Sequence, residues 1–177
     1  PDIRGLATGA NINIGTISNP GGTVFLTNQY KANPDLIEGN IDVDNISVST
    51  GFSNSLSSGS ISLDSRNDIN IVDGNITSQN TFDSGYINIF SQGNIIFSNS
   101  AIDVITVNGR AGNINFISGN DVFMNDSKIV NQVLSTSRQQ NSGRGGDINI
   151  GGENLEIYGG DVLDPTNSTS LLIRTRG

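Results

Sequence analysis

The sequence contains no cysteine and no histidine. Without cysteine, the chain forms no disulfide and no thiolate metal site, so packing and backbone hydrogen bonds must stabilise the fold. Without histidine, it has no imidazole general base, no histidine metal ligand and no Ser-His-Asp triad. Several large enzyme classes are thereby excluded.

Positive charge is scarce, because 9 Lys and Arg face 17 Asp and Glu, for a net charge of -8. Such a chain repels a phosphate backbone, so we predict no nucleic-acid partner. No apolar run approaches the roughly 18 residues of a membrane span, and residues 1–10 lack the layout of a signal peptide. Because the chain starts at Pro1, we interpret residues 1–177 as a single segment of a longer chain.

Residues that favour helices are few, with 5 Ala and 10 Leu. Residues that favour strands and turns are abundant, with 24 Ile, 25 Asn, 22 Ser and 22 Gly. This composition predicts an all-β protein.

Four blocks of the sequence repeat one pattern, in which a glycine precedes an Ile-x-apolar strand: "GSISL" at Gly59, "GYINI" at Gly85, "GNINF" at Gly112 and "GDINI" at Gly146. Within the strands, polar residues alternate with apolar ones, which is typical of strands with one buried face. In each block, a second apolar position follows the first after seven or eight residues, and a third follows after seven more. The three sets are Ile61, Ile87, Ile114 and Ile148; Ile69, Ile95, Val122 and Leu155; and Ile76, Ile102, Ile129 and Val162.

Three short strands joined by glycine and asparagine corners form one coil of a parallel β-helix, in which isoleucine stacks on isoleucine at about 4.8 Å. We predict an all-β, right-handed parallel β-helix (solenoid) with three short strands per coil of about 26 residues. A strict period of six, typical of left-handed hexapeptide helices, is absent. A β-sandwich is the alternative fold, although it gives no reason for the constant intervals.

The repeat is regular over residues 59–177 and irregular over 1–58. We interpret "GANINIGTI" (9–17) as a short coil and "GNIDVDNISV" (39–48) as a two-strand coil with a step of five. At the other end, "SLLIRTRG" (170–177) is interpreted as the first strand of another coil.

Carboxylates are the candidate catalytic groups, because parallel β-helices include polysaccharide lyases and hydrolases. Asp42 and Asp44 share a strand face, and Asp64 lies near Asp68, but no carboxylates fall at equivalent places on adjacent coils. The calcium-binding roll needs its motif in tandem, and "GRGGD" (143–147) occurs once. We therefore predict no catalytic residue, no metal site and no other cofactor.

Segments of variable length precede the repeated glycines, including residues 28–38 and 134–145. In a solenoid, such insertions lie along one edge. Aromatic and arginine side chains are enriched in binding hot spots. We predict a candidate binding edge that consists of Tyr30, Lys31, Phe52, Phe82, Arg110, Arg138 and Arg144.

Two blocks, "GRAGNINFISGNDVFMNDSKI" (109–129) and "GRGGDINIGGENLEIYGGDVL" (143–163), resemble the repeats of filamentous haemagglutinin-type exoproteins. The resemblance implies a structural or adhesive shaft segment of a large bacterial protein that is secreted or on the cell surface. It implies an outer-membrane transporter as the export partner in two-partner secretion, and a host or surface glycan or protein as the receptor. The alternatives are a carbohydrate-active β-helix enzyme, which would bring carboxylates together in a groove, and a passive spacer without a ligand.

Overall fold

The computed structural model describes residues 2–5, 10–29, 39–51, 57–134 and 144–158, together with the backbone of residues 6 and 170–175. All regular structure in these residues is β-strand. The strands are β1 (Ile3–Leu6), β2 (Ile12–Ser18), β3 (Val24–Thr27), β4 (Ile41–Ser47), β5 (Ile61–Ser65), β6 (Ile69–Asn80), β7 (Ile87–Ser91), β8 (Ile95–Ser98), β9 (Ala101–Thr106), β10 (Ile114–Ser118), β11 (Val122–Asn125), β12 (Lys128–Val133), β13 (Ile148–Gly151), β14 (Leu155–Tyr158) and β15 (Ser170–Thr175).

The strands form two parallel sheets that wind together as a solenoid. The first sheet has the order β1-β3-β5-β7-β10-β13 and makes the first side of every coil. The second sheet contains the other strands and makes the second and third sides, because β6 pairs with β8 through its first half and with β9 through its second half. Regular turns begin at Ile61, Ile87 and Ile114, so successive turns are almost equal in length. The predicted all-β parallel solenoid is confirmed.

The register follows the first two predicted sets of apolar residues. On the first side, Ile87 lies between Ile61 and Ile114, and Ile114 pairs in turn with Ile148. On the second side, the same parallel pairing joins Ile69, Ile95, Val122 and Leu155. These two columns of stacked apolar residues, called files below, therefore lie where the seven- and eight-residue steps predict.

The third file differs from the prediction at its last position. Ile76, Ile102 and Ile129 pair as predicted, but the partner of Ile129 in the next coil is Leu171. Residues 170–175 are thus the third side of the coil that opens at Ile148, and their interpretation as the first strand of another coil is wrong. The chain between Leu155 and Leu171 is much longer than the chain between Val122 and Ile129, so constant spacing fails at this corner. Val162 lies outside the described residues.

The irregular residues before Gly59 also pair differently from the prediction. Ile12 pairs with Ile41, which pairs with Ile69, and the third side repeats this relation with Ile17 and Ile46. Both segments are therefore second and third sides of coils opened by β1 and β3, and reading them as coils of their own is wrong. Their step is five where that of β6 is seven, and a register shift between Val43 and Asn45 accommodates the two additional residues of β6.

The core is a set of vertical files of apolar side chains inside the solenoid. Phe97 of β8 and Phe116 of β10 are both fully buried, and their rings meet edge to face. Each fully buried aliphatic side chain contributes about 1.5–3 kcal/mol relative to an exposed one. The buried file residues include Ile61, Ile87, Ile114, Ile69, Ile95, Val122, Ile76, Ile102 and Ile129.

The repeated glycine is required because successive coils approach closely at the corner between the third side of one coil and the first side of the next. A Cβ on Gly85 would overlap the carbonyl group of Gly59, and one on Gly112 would overlap that of Gly85. Any larger residue must push two coils apart. The glycine that marks each repeat is therefore a packing requirement of the stack.

Polar side chains form ladders along the outside of the stack. On the first side, the Asn115 amide donates to Asn88 Oδ1 at 2.7 Å, and Asn149 donates to Asn115 Oδ1 at 2.8 Å. At the corner before the second side, the backbone N–H of Asn94 donates to Asp68 Oδ1 at 2.7 Å, and that of Asp121 donates to Asn94 Oδ1 at 3.2 Å. The abundant asparagine thus joins each coil to the next.

Serine hydroxyls satisfy buried backbone carbonyls at the same corner. Ser65, Ser91 and Ser118 lie in register, and each donates to the carbonyl three residues ahead at 3.0 Å. Ser118 also donates to the carbonyl of Gly93 in the preceding coil at 2.6 Å. The same carbonyls also accept backbone N–H groups of neighbouring strands and turns, so the hydroxyls supplement the backbone hydrogen bonds of the corner.

Candidate functional site

The third corner of the solenoid is the turn from the third side of one coil to the first side of the next. It brings together the described members of the candidate binding edge. The Ser84 N–H donates to the Arg110 carbonyl at 2.9 Å, and the Ala111 N–H donates to the Arg144 carbonyl at 2.9 Å. Phe82, Arg110 and Arg144 therefore close three successive coils at one corner. Tyr30, Lys31, Phe52 and Arg138 lie outside the described residues.

Phe82 is held by its backbone while its side chain meets solvent. The buried Thr106 hydroxyl donates to the Phe82 carbonyl, and Gly109 of the next coil packs on the same peptide. The Phe82 side chain is 44% exposed. Its ring is thus a fixed aromatic surface at the corner.

Arg110 and Arg144 line a notch of about 300 Å³, together with Ala111, Asn113, Gly145, Gly146 and Asp147. Both arginines are exposed. Among the described residues, neither guanidinium lies within ion-pair distance of a carboxylate. Two positive groups on adjacent coils repel each other, so an anion bound between them would be stabilised.

Two acidic residues at this corner were absent from the predicted edge. Asp83 Oδ1 accepts a hydrogen bond from the Arg110 N–H at 2.7 Å, and Asp147 lines the notch. Asp83 directly follows Phe82, and this hydrogen bond joins its side chain to the next coil. The alternation of polar residues in the sequence gives no signal for such a contact between coils.

A second groove lies on the outer face of the first sheet and was not predicted. It has a volume of about 400 Å³ and is lined by Asp2, Ile3, Arg4, Thr23, Phe25, Ser62 and Tyr86. Arg4 and Asp2 form an ion pair at 3.8 Å, with both side chains largely exposed. Phe25 and Tyr86 are far apart in the sequence, so only the stacking of coils brings them together.

Three of the four acidic residues considered for catalysis make hydrogen bonds within the stack, and the fourth, Asp44, is exposed. Asp42 accepts from the Asn70 amide at 2.6 Å, and Asp64 accepts from the Thr27 hydroxyl at 3.2 Å. Asp68 belongs to the corner ladder and accepts from the Asn94 N–H. Each of the two grooves contains one carboxylate, and no three acidic side chains in the described part of the chain are grouped as ligands for a metal ion.

Within the described ranges, the pKa values of two side chains are shifted. On the third side, burial raises the pKa of Asp103, and the nearby positive charge of Lys128 partly opposes the rise. On the second side, a hydrogen bond to Glu156 raises the pKa of the Tyr158 hydroxyl, which donates to Glu156 Oε2 at 2.6 Å. Neither group lines a groove described above.

None of the described residues forms a helix long and apolar enough to cross a membrane. Comparison with models of known protein families, with curated proteins and with solved structures finds no match for this chain.

Proposed function

We propose that this chain is a shaft segment of a large secreted bacterial surface protein, that it is not an enzyme, and that its third corner is an adhesive edge. One observation carries the proposal: the coils pair in register, in parallel, residue on residue, along all three sides. In such a solenoid, each coil contacts only its neighbours, so the fold extends without change of cross-section. That property suits a shaft.

The ladders give the shaft its stiffness. Asn88, Asn115 and Asn149 join three coils on the first side, and the Asp68, Asn94 and Asp121 ladder joins three at the next corner. Bending the rod separates paired coils on one side and breaks hydrogen bonds there. These ladders support a mechanical role.

Secretion and export through an outer-membrane transporter are supported by the resemblance of residues 109–129 and 143–163 to filamentous haemagglutinin-type repeats. The chemistry of the chain is compatible with this route. With no cysteine, the coils need no disulfide formation to become stable after export.

The adhesive part of the proposal depends on the arginine pair. The guanidinium groups of Arg110 and Arg144 form no ion pair within the described chain and belong to the same corner as the exposed side chain of Phe82. They place two positive charges close to Asp83 and Asp147, on a chain whose net charge is -8. Arginine and aromatic residues dominate binding hot spots. The favoured receptor is a glycan or protein that presents a carboxylate or sulfate group to this corner.

Export is tested by producing the full-length protein with and without its outer-membrane transporter. We expect surface labelling and protease cleavage on intact cells only when the transporter is present. Equal surface exposure without the transporter contradicts the export route. Retention of the protein inside cells that contain the transporter contradicts secretion.

Adhesion is tested with the Arg110→Ala/Arg144→Ala double variant of the full-length protein, with Lys128→Gln as a control that removes one exposed positive charge elsewhere. We expect the double variant to bind receptor-bearing cells at least about tenfold more weakly, and the control to bind like the unmodified protein. Binding by the unmodified protein should also weaken with added salt. Unchanged binding by the double variant contradicts the adhesive edge and favours a passive spacer.

A further inference from the structure

We propose that the outer face of the first sheet has a sugar-binding slot between Phe25 and Tyr86, which takes one ring of a neutral pyranose saccharide. The slot lies on the outer face of the first sheet and shares no lining residue with the third-corner notch. The inference does not depend on export, on the shaft role or on the adhesive edge.

The spacing of the two aromatic residues follows from the register. Phe25 pairs with Ser62, and Ser62 pairs with Asn88, two residues beyond Tyr86. Phe25 and Tyr86 therefore lie two coils apart, roughly 9.6 Å at about 4.8 Å per coil, and two residues apart along the strand, roughly 6.6 Å, so their Cα atoms are separated diagonally by roughly 12 Å. Two rings that both contact a third ring between them are separated by roughly 7–8 Å. The diagonal gap is therefore wide enough for one ring between the aromatic residues.

Small residues leave the gap open. Between the levels of Phe25 and Tyr86, the intervening coil contributes Ser60 and Ser62 to the outer face. Ser60 Oγ accepts the Tyr86 N–H at 3.3 Å, which fixes the start of β7. A larger residue at position 62 would fill the slot.

The walls and floor offer the two kinds of contact that a sugar needs. The Tyr86 side chain is 48% exposed, and Phe25 is half-buried. Within the described residues, the hydroxyls of Tyr86 and Ser62 make no hydrogen bond to the protein. Aromatic faces contact the apolar face of a pyranose, and free hydroxyls bond its polar edge.

The charges of the slot favour a neutral ligand. Asp2 and Arg4 neutralise each other as an ion pair, and Asp2 Oδ1 also accepts the Thr23 N–H at 3.4 Å. This pair offers both donors and acceptors to hydroxyl groups without a net charge. By contrast, the third-corner notch has two arginines and would prefer an anion.

The size of the slot agrees with a single bound sugar ring. Its volume of about 400 Å³ is at the lower end of the roughly 300–1,000 Å³ of small-molecule sites. Because the slot is open on a strand face, we expect a dissociation constant of about a millimolar for one ring. Longer saccharides that follow the strands would bind more tightly.

Saturation-transfer NMR on the full 177-residue chain tests the proposal with the methyl glycosides of glucose, galactose, mannose and N-acetylglucosamine. We expect at least one glycoside to receive saturation at its ring protons. We expect Tyr86→Ser to weaken binding about tenfold or more, Ser62→Phe to abolish it and Tyr86→Phe to retain most of it. Phe90→Ser, which removes an aromatic ring from a different column of the same sheet, should bind like the unmodified protein.

Circular dichroism on each variant ensures that loss of binding is not loss of fold. Absence of saturation transfer to all four glycosides overturns the proposal. The proposal is also overturned if Tyr86→Ser and Ser62→Phe bind as tightly as the unmodified protein. Binding that survives both changes but is lost in the Arg110→Ala/Arg144→Ala variant also overturns it and assigns the ligand to the third corner.

Discussion

The rings of Phe97 and Phe116 meet edge to face inside the solenoid, with centroids 5.9 Å apart and planes inclined at 62°. Phe97 belongs to the second sheet and to the coil that opens at Ile87, whereas Phe116 belongs to the first sheet and to the next coil. One contact therefore joins two sheets and two turns. Phe97 and Phe116 are also the two largest fully buried side chains in the described core.

Truncation of this pair should destabilise the protein strongly. We expect Phe116→Ala to lower the free energy of unfolding by about 3–5 kcal/mol, because it removes buried area and leaves a cavity. A double-mutant cycle with Phe97→Ala should give a coupling of about 0.5–1.5 kcal/mol. Urea unfolding followed by circular dichroism measures both quantities. Strictly additive losses would show that the rings do not interact.

The close approach of the repeated glycines at the third corner predicts a sharp contrast between two glycines. Gly85→Ala forces a methyl group into the Gly59 carbonyl, and we expect a loss of about 1–3 kcal/mol. Gly151→Ala is the matched control, because the nearest atom to its added methyl is the Phe116 carbonyl oxygen at 4.0 Å. Thermal unfolding should give a lower melting temperature for Gly85→Ala than for Gly151→Ala. Equal melting temperatures would contradict the packing requirement.

The serine column predicts the effect of removing one hydroxyl. Ser118→Ala removes the 2.6 Å hydrogen bond to the buried carbonyl of Gly93, which keeps its bond from the Asn120 N–H at 3.2 Å, and we expect a loss of about 0.5–1.5 kcal/mol. Ser62→Ala removes a hydroxyl that bonds no described residue and should change stability by less than about 0.5 kcal/mol. The measurement is chemical denaturation of both variants side by side. A Ser118→Ala protein as stable as the Ser62→Ala protein would mean that water replaces the hydroxyl.

The raised pKa of Asp103 predicts a pH-dependent contribution to stability. Burial raises this pKa in the folded chain above the ordinary value of 3.8. The folded state therefore binds the proton more tightly, and stability present below the ordinary value is lost as the pH rises through the raised pKa. We expect Asp103→Asn to raise the melting temperature at neutral pH and to leave it unchanged in acid.

Lys128 supplies the control for this prediction. Its charge lowers the pKa of Asp103, so Lys128→Gln should raise that pKa further and lower the melting temperature at neutral pH. A thermal unfolding series from acid to neutral pH covers all three proteins. A pH-independent shift in Asp103→Asn would show that burial of the charge is not the cause.

The sequence predicts the first two sides of each coil because their corners have constant length. Ile61, Ile87 and Ile114 repeat at nearly equal intervals, and their pairing follows directly. The third side cannot be predicted in the same way, since the corner before Leu171 is longer than the corner before Ile129 and spacing alone selects Val162. Backbone pairing determines the register there.

The candidate sites differ in how far the sequence reveals them. Arg110 and Arg144 precede equivalent glycines, so the repeat itself predicts that they meet at one corner. Binding at that corner stays a prediction. The slot between Phe25 and Tyr86 has no such signal, because its walls come from coils of unequal length and its floor from the coil between them.

The column of close-packed glycines at the third corner also makes the length of the molecule modular. Excision of the whole block from Gly85 to Ala111 would bring Ile114 onto Ile61 in the same register. Whole-block duplication or loss therefore changes the reach in increments of about 4.8 Å, whereas a one-residue slip would turn each strand's inward side chains outward. Genes that encode such rods are free to gain or lose reach by recombination between blocks, but not by small insertions within strands.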